Sequence, residues 1–180
     1  MTLRVGAIRS DHGTTTHLDF HADTSVVGRN AIVVHDYDRP VDGCGFDPKG
    51  PVTRSLKTVT AAMAYTIPAS GEVVILMVHQ AVLIPSLHHK LLCPNQLRLN
   101  DVVVNEQPKF LTEEPTDSTH AIVVPGNDED RLLLLTILLD FTSITSCFPT
   151  KPTAEEYESC ARYELTSEEP IFDPHDPMFA

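Results

Sequence analysis

The sequence predicts an all-β fold, and three observations carry that prediction. Short runs rich in Val, Ile and Thr recur between turn residues. Two long apolar runs flank a tight turn, and before residue 150 only Pro94–Asn100 offers a turn of helix. In order, Leu3, Val5 and Ala7 alternate with polar neighbours, Thr14–Asp19 is β-branched, and Val26-Val27 and Ala31–Val34 flank Gly28-Arg29-Asn30. Val41-Asp42-Gly43-Cys44-Gly45 is a glycine-punctuated turn or bulge. Val52–Tyr65 and Glu72–Ile84 are the longest strand candidates, joined by a hairpin loop at Ile67–Gly71. Asp101–Asn105, His120–Val124 and Leu132–Phe141 supply three more strands. Beyond Cys147 the pattern changes: Thr153-Ala154-Glu155-Glu156 is a capping box that predicts a helix to about Arg162. Glu168–Ala180, with Pro170, Pro174, Pro177 and four carboxylates, reads as a linker or disordered tail. The expected organisation is a β domain over 1–148 and an acidic tail with a short helix over 149–180.

At 180 residues and 19.8 kDa the chain can bury a core of its own without a metal or disulfide staple. Its net charge of −12 is unevenly placed. Residues 1–100 carry nine basic and eight acidic side chains, whereas 101–130 carry one and eight, and 151–180 two and eight. The clustered Lys and Arg of a phosphate-reading surface are missing, so no nucleic-acid partner is expected. Met1–Arg9 lacks the apolar core of a signal peptide, and Leu132–Leu135 with Ile137–Leu139 falls far short of the roughly 20 residues of a membrane span. Cys44, Cys93, Cys147 and Cys160 form no CxxC pair and read as reduced thiols. Together these predict a cytoplasmic chain. No GxGxxG, P-loop or nucleophile-elbow pattern occurs.

Chemistry concentrates in His17-Leu18-Asp19-Phe20-His21-Ala22-Asp23-Thr24-Ser25. If this segment is extended, His17, Asp19, His21 and Asp23 share a face, because strand side chains alternate. One reading is a metal site on His17, Asp19 and His21, since imidazole and carboxylate bind zinc or manganese. It would need ligands from elsewhere, and His79, His88 and His89 lie on distant segments. A solvated polar strand face is the plain alternative. A third reading is an aspartate at a strand end, paired with a second carboxylate. Two carboxylates that close cannot both ionise, so one serves as base towards water while its protonated partner hydrogen-bonds a peptide carbonyl. A chain carrying one such aspartate must dimerise to complete the pair.

Residues 18–28, LDFHADTSVVG, resemble the active-site loop of retropepsins. The run from Val82 to Leu97 is similar to the segment V-L-x-V-P-x-L-x-x-N-L-L-S-x-x-Q-L that closes the protease domain of copia-type retrotransposon polyproteins. Pro85, Leu87, Leu91, Leu92, Gln96 and Leu97 match at the same spacing, and Val82-Leu83 matches the opening V-L one residue closer to the proline. Val102-Val103-Val104 matches a following apolar strand, and Val41–Gly45 a V-x-G-x-G turn. That similarity covers about residues 17–105, and most of the chain resembles a diverged polyprotein group bearing an L-D-S-H-A-D-T box. The resemblance implies a retropepsin-like (acid protease) barrel with a short helix after its last core strand. It implies an aspartic endopeptidase that works as a homodimer on a polypeptide substrate, without a cofactor. Asp19 is the first candidate for the catalytic carboxylate and Asp23 the second, with His21, Thr24 and Ser25 expected along the substrate. Ile67–Gly71 is the candidate for the hairpin flap that closes over substrate in this family.

The sequence also departs from the family. With Asp19 as the catalytic residue, Phe20 stands where Thr or Ser belongs and His21 where Gly belongs. The hydroxyl normally ties the dimer halves together, and the glycine lets backbone approach the carboxylate. With Asp23 instead, Thr24 is kept, but Ser25 replaces Gly and Val26 replaces Ala. Asp19 is preferred because retropepsins often carry a second Asp four residues on, where Asp23 stands. A catalytically inactive, retropepsin-shaped binding or assembly module is therefore the rival expectation.

Overall fold

A computed structural model describes residues 15–45, 49–126, 135–141, 145–147 and 149–179. The expected strand over Leu3–Ala7 and the first residues of the expected Leu132–Phe141 strand lie outside that set. The chain forms β1 (Thr16–Leu18), β2 (Val26–Val27), β3 (Ile32–Asp36), β4 (Val41–Cys44), β5 (Val52–Thr66), β6 (Val73–Leu83), β7 (Lys90–Leu92), α1 (Pro94–Arg98) and β8 (Val103–Asn105). Next come β9 (Ala121–Val124), β10 (Leu135–Leu138), β11 (Asp140–Phe141), β12 (Thr145–Cys147), α2 (Ala154–Ser159) and β13 (Arg162–Glu164). It is mostly β, as the sequence predicts. Among the described residues no helix is long and apolar enough to cross a membrane.

The large sheet runs β11-β12-β1-β7-β2-β6-β5-β3, with β13 added to β6 and β4 to β5; β10-β9-β8 form a second, three-stranded sheet. The order has two free ends, so the described strands do not close into the barrel that the resemblance implies. The edge of β6 opposite β5 is divided instead. Its C-terminal part pairs with β2 (Val26 opposite Val82) and its N-terminal part with β13 (Arg162 opposite Ile75), both parallel.

The β5–β6 hairpin is the spine, and its sequence explains why. Val59, Ala61, Met63 and Tyr65 alternate onto one face with Val74, Leu76 and Val78, inside the principal core. Ala62, Ala64, Ile75 and Met77 fill a smaller cluster on the other face, where Tyr157 and Cys160 of the α2 region pack. Period-two alternation with apolar residues on both faces is what a covered central sheet requires. Alanines at 61, 62 and 64 let both layers approach closely.

The capping box forms as predicted: the Thr153 hydroxyl accepts from the Glu156 N–H, and the Glu156 carboxylate accepts from the Thr153 N–H. The helix ends at Ser159, short of the expected Arg162, because the Ala161 carbonyl accepts from Ile75 N–H (2.8 Å) and draws the chain into the sheet as β13. The segment expected as a linker is likewise tethered at its start, through residues 167–172 bound to Gln80.

Candidate active site

Asp19 follows β1 directly. β1 lies parallel to β7 (Leu18 opposite Leu92), and the Asp19 N–H donates to Leu92 O at 3.1 Å, extending the ladder by one bond. Leu18 and Leu92 are buried, anchoring the strand while Asp19 emerges with its side chain 34% exposed. β7 runs through Cys93 into α1, where Pro94 takes the first turn and lacks an N–H that would otherwise need a partner. β7 also pairs antiparallel with β2 (Val26 opposite Leu91), and β2 lies parallel to β6. Two parallel pairs are thereby interlocked around the loop 19–25.

Within the loop, one Asp19 carboxylate oxygen accepts from the His21 N–H (2.9 Å), and the Ala22 N–H donates to Asp19 O (3.3 Å). The turn presents a backbone donor to the carboxylate without needing a glycine: His21 is not among the non-glycine residues with positive φ, and its side chain points outward, 81% exposed. The His21 ring Nδ1 lies 3.7 Å from the carboxylate. Phe20 is also exposed, with the Arg98 guanidinium 5.5 Å from its ring centre. No hydroxyl therefore occupies the position next to Asp19.

The other expected site residues fall in different places. Asp23 is exposed on the loop. Thr24 is half-buried, its hydroxyl 3.4 Å from Gln80 O. Ser25 is fully buried: its hydroxyl accepts from the Cys93 N–H (3.0 Å), its N–H donates to Gln96 Oε1 (3.0 Å), and its carbonyl accepts from Val82 N–H (2.9 Å). Ser25 braces the loop against β6 and α1 and is closed to substrate. Cys93 is a buried thiol whose pKa burial pushes up, so it is no nucleophile.

The metal reading fails on geometry. His17 packs edge-on against His89 (ring centres 5.4 Å apart), and burial, then His89, lowers its pKa. Among the described residues no three His, Cys, Asp or Glu side chains converge as ligands.

Ile67–Gly71 is a tight turn closed by Ile67 N–H to Glu72 O and Gly71 N–H to Ile67 O, both 2.8 Å. The strands it joins are largely buried, while Pro68–Glu72 at the turn itself are exposed. A different hairpin extends from the sheet: among the described residues β4 pairs only with the first part of β5, where Val52–Ser55 are exposed, beyond the last residue pair that β5 makes with β6 (Lys57 opposite Leu83).

The sequence reading missed a polar network behind the loop. Gln80, 3% exposed and with φ of +55°, sits in a bulge of β6 between the stretches that pair with β13 and β2. Beside it His79 Nδ1 lies 3.0 Å from Thr60 Oγ1, and His79 Nε2–H donates to the Glu164 carboxylate (2.6 Å). That trio has the order of a hydroxyl–imidazole–carboxylate relay, but Thr60 is only 3% exposed, which makes it a structural clip. A polar His-Gln pair inside an apolar strand was the available signal.

Comparison with known proteins gives no assignment: no family model, no curated protein and no solved structure matches this chain.

Proposed function

We propose that the chain is an aspartic endopeptidase of retropepsin type, of the kind carried by retrotransposon polyproteins. A second copy completes it, so that two Asp19 carboxylates meet at the symmetry axis. The observation that carries this reading is the position of Asp19. It is a part-exposed carboxylate at the end of a strand, parallel to a second strand that leads straight into a short helix. One carboxylate takes a proton from water as the oxygen attacks the scissile carbonyl, and its protonated partner donates to the developing oxyanion. Proton return to the amide nitrogen then releases the amine. Asp23, more exposed and outside the strand, has no comparable support. The β4–β5 arm, exposed at Val52–Ser55, is a second candidate beside Ile67–Gly71 for a cover over bound polypeptide.

One observation favours a second reading. Phe20 leaves no hydroxyl to bind the two halves across the axis, which suits an inactive module of the same shape. Autoprocessing of a longer precursor separates the two. Asp19→Asn is expected to abolish cleavage, Asp23→Asn to leave most of it, and a pepstatin-like inhibitor to block the wild type. Cleavage that survives Asp19→Asn and the inhibitor overturns the peptidase reading.

A further inference from the structure

The buried glutamines of the polar network link two parts of the chain that are far apart in sequence. The two N–H bonds of the Gln80 side-chain amide are shared among Ser167 O (3.1 Å), Glu168 O (3.0 Å) and Pro170 O (2.9 Å). Its Oε1 accepts from the Phe172 N–H (2.8 Å) and from Arg39 (3.1 Å). One side chain thus gathers the backbone of residues 167–172. The approach to it is fixed as well: Leu165 N–H donates to Met77 O (2.8 Å), and the Thr166 hydroxyl both accepts from His79 N–H (2.7 Å) and donates to His79 O (2.9 Å). Leu165 and Thr166 are fully buried.

On its other side the same bulge meets Gln96 of α1. The Gln96 amide donates to His79 O (3.2 Å) and lies 3.5 Å from Gln80 O, while its Oε1 receives the Ser25 N–H. A continuous path therefore runs from the C-terminal segment through Gln80 and the bulge to Gln96 and the loop of Asp19. Buried amides of this kind are costly to leave unpaired, so the bonds at either end of the path support each other. Positive φ at a non-glycine residue is a strained conformation, held here by the partners around it.

We propose that Gln80 and Gln96 are positioning residues through which the docked segment 165–172 fixes the loop 19–25, so that undocking the segment loosens the loop. The inference rests on the reading of that loop as the active site, but its test does not need activity.

Hydrogen exchange is measured on the full chain for peptides covering 16–25, 162–172 and the core of β5–β6. Gln80→Glu removes the amide donor and sets a carboxylate against three carbonyls. Phe172→Pro removes the N–H that reaches Gln80 together with a half-buried ring outside the core clusters, so it remains informative if the first variant does not fold. In either folded variant, exchange in both 16–25 and 162–172 is expected to rise on the order of tenfold or more, with the β5–β6 core unchanged. Faster exchange in 162–172 with 16–25 unchanged overturns the proposal, as does no change in either segment. A coupled rise in a protein that cleaves nothing would retain the relay and remove only the peptidase reading.

Discussion

Gly28 shows how one residue can fix the entrance to the loop region. A Cβ built there would lie 2.2 Å from Leu87 O, a backbone atom that cannot swing aside. The close approach lets β2 finish against the turn that leads into β7, so Gly28→Ala is expected to cost roughly 3 kcal/mol. An unchanged urea midpoint would contradict this. Lys90 acts through charge. It is 1% exposed, with Pro149 O 3.4 Å from its Nζ, and burial lowers its pKa to about 8. Between about pH 8 and its unfolded value near 10.5 the unfolded chain holds the extra proton, so this residue's penalty falls as pH rises. Cys147, pushed up to about 12 by burial, works in the opposite sense above its ordinary value of 9.0. Lys90→Met isolates the first effect. It should stabilise the protein at pH 7 by up to about 3 kcal/mol, and the gain should shrink between pH 8 and 10.5. A gain independent of pH would show that packing alone is responsible.

At the level of elements, β5 and β6 were legible because their alternation is strong and a turn lies between them. Thr153–Glu156 announced α2 through side chains three residues apart. Such local signals survive folding because their partners are near in sequence. Thr153→Ala should cost about 1 kcal/mol through loss of the capping box, read as a shift of the denaturation midpoint. No shift would mean that the packing of Tyr157 on the sheet holds the helix by itself. β13 was not legible for the opposite reason: its partner in β6 lies more than eighty residues earlier, and the acidic, proline-bearing context around it reads as linker. The strands after residue 105 were no more legible, since the resemblance stops there, and among the described residues the sheet stays open between β11 and β3.

For the whole molecule, the candidate site was legible as a segment but not as a geometry. Asp19 at the end of a strand followed from Leu18 and its neighbours. The brace formed by Ser25, Cys93 and Gln96, across about seventy residues, needed the fold. Residues 1–100, which contain Asp19 and its loop, are near neutral overall, so the proposed pairing of two copies at that loop would meet little net repulsion. The central claim is that Asp19 does chemistry in a pair, and cleavage measured against protein concentration tests it most directly. At concentrations below the dimer dissociation constant, a dimeric site predicts a rate that rises with the square of enzyme concentration. Adding excess Asp19→Asn protein should suppress that rate by forming mixed pairs with one carboxylate replaced. A rate linear in concentration across the whole range, untouched by excess Asp19→Asn protein, would contradict the account.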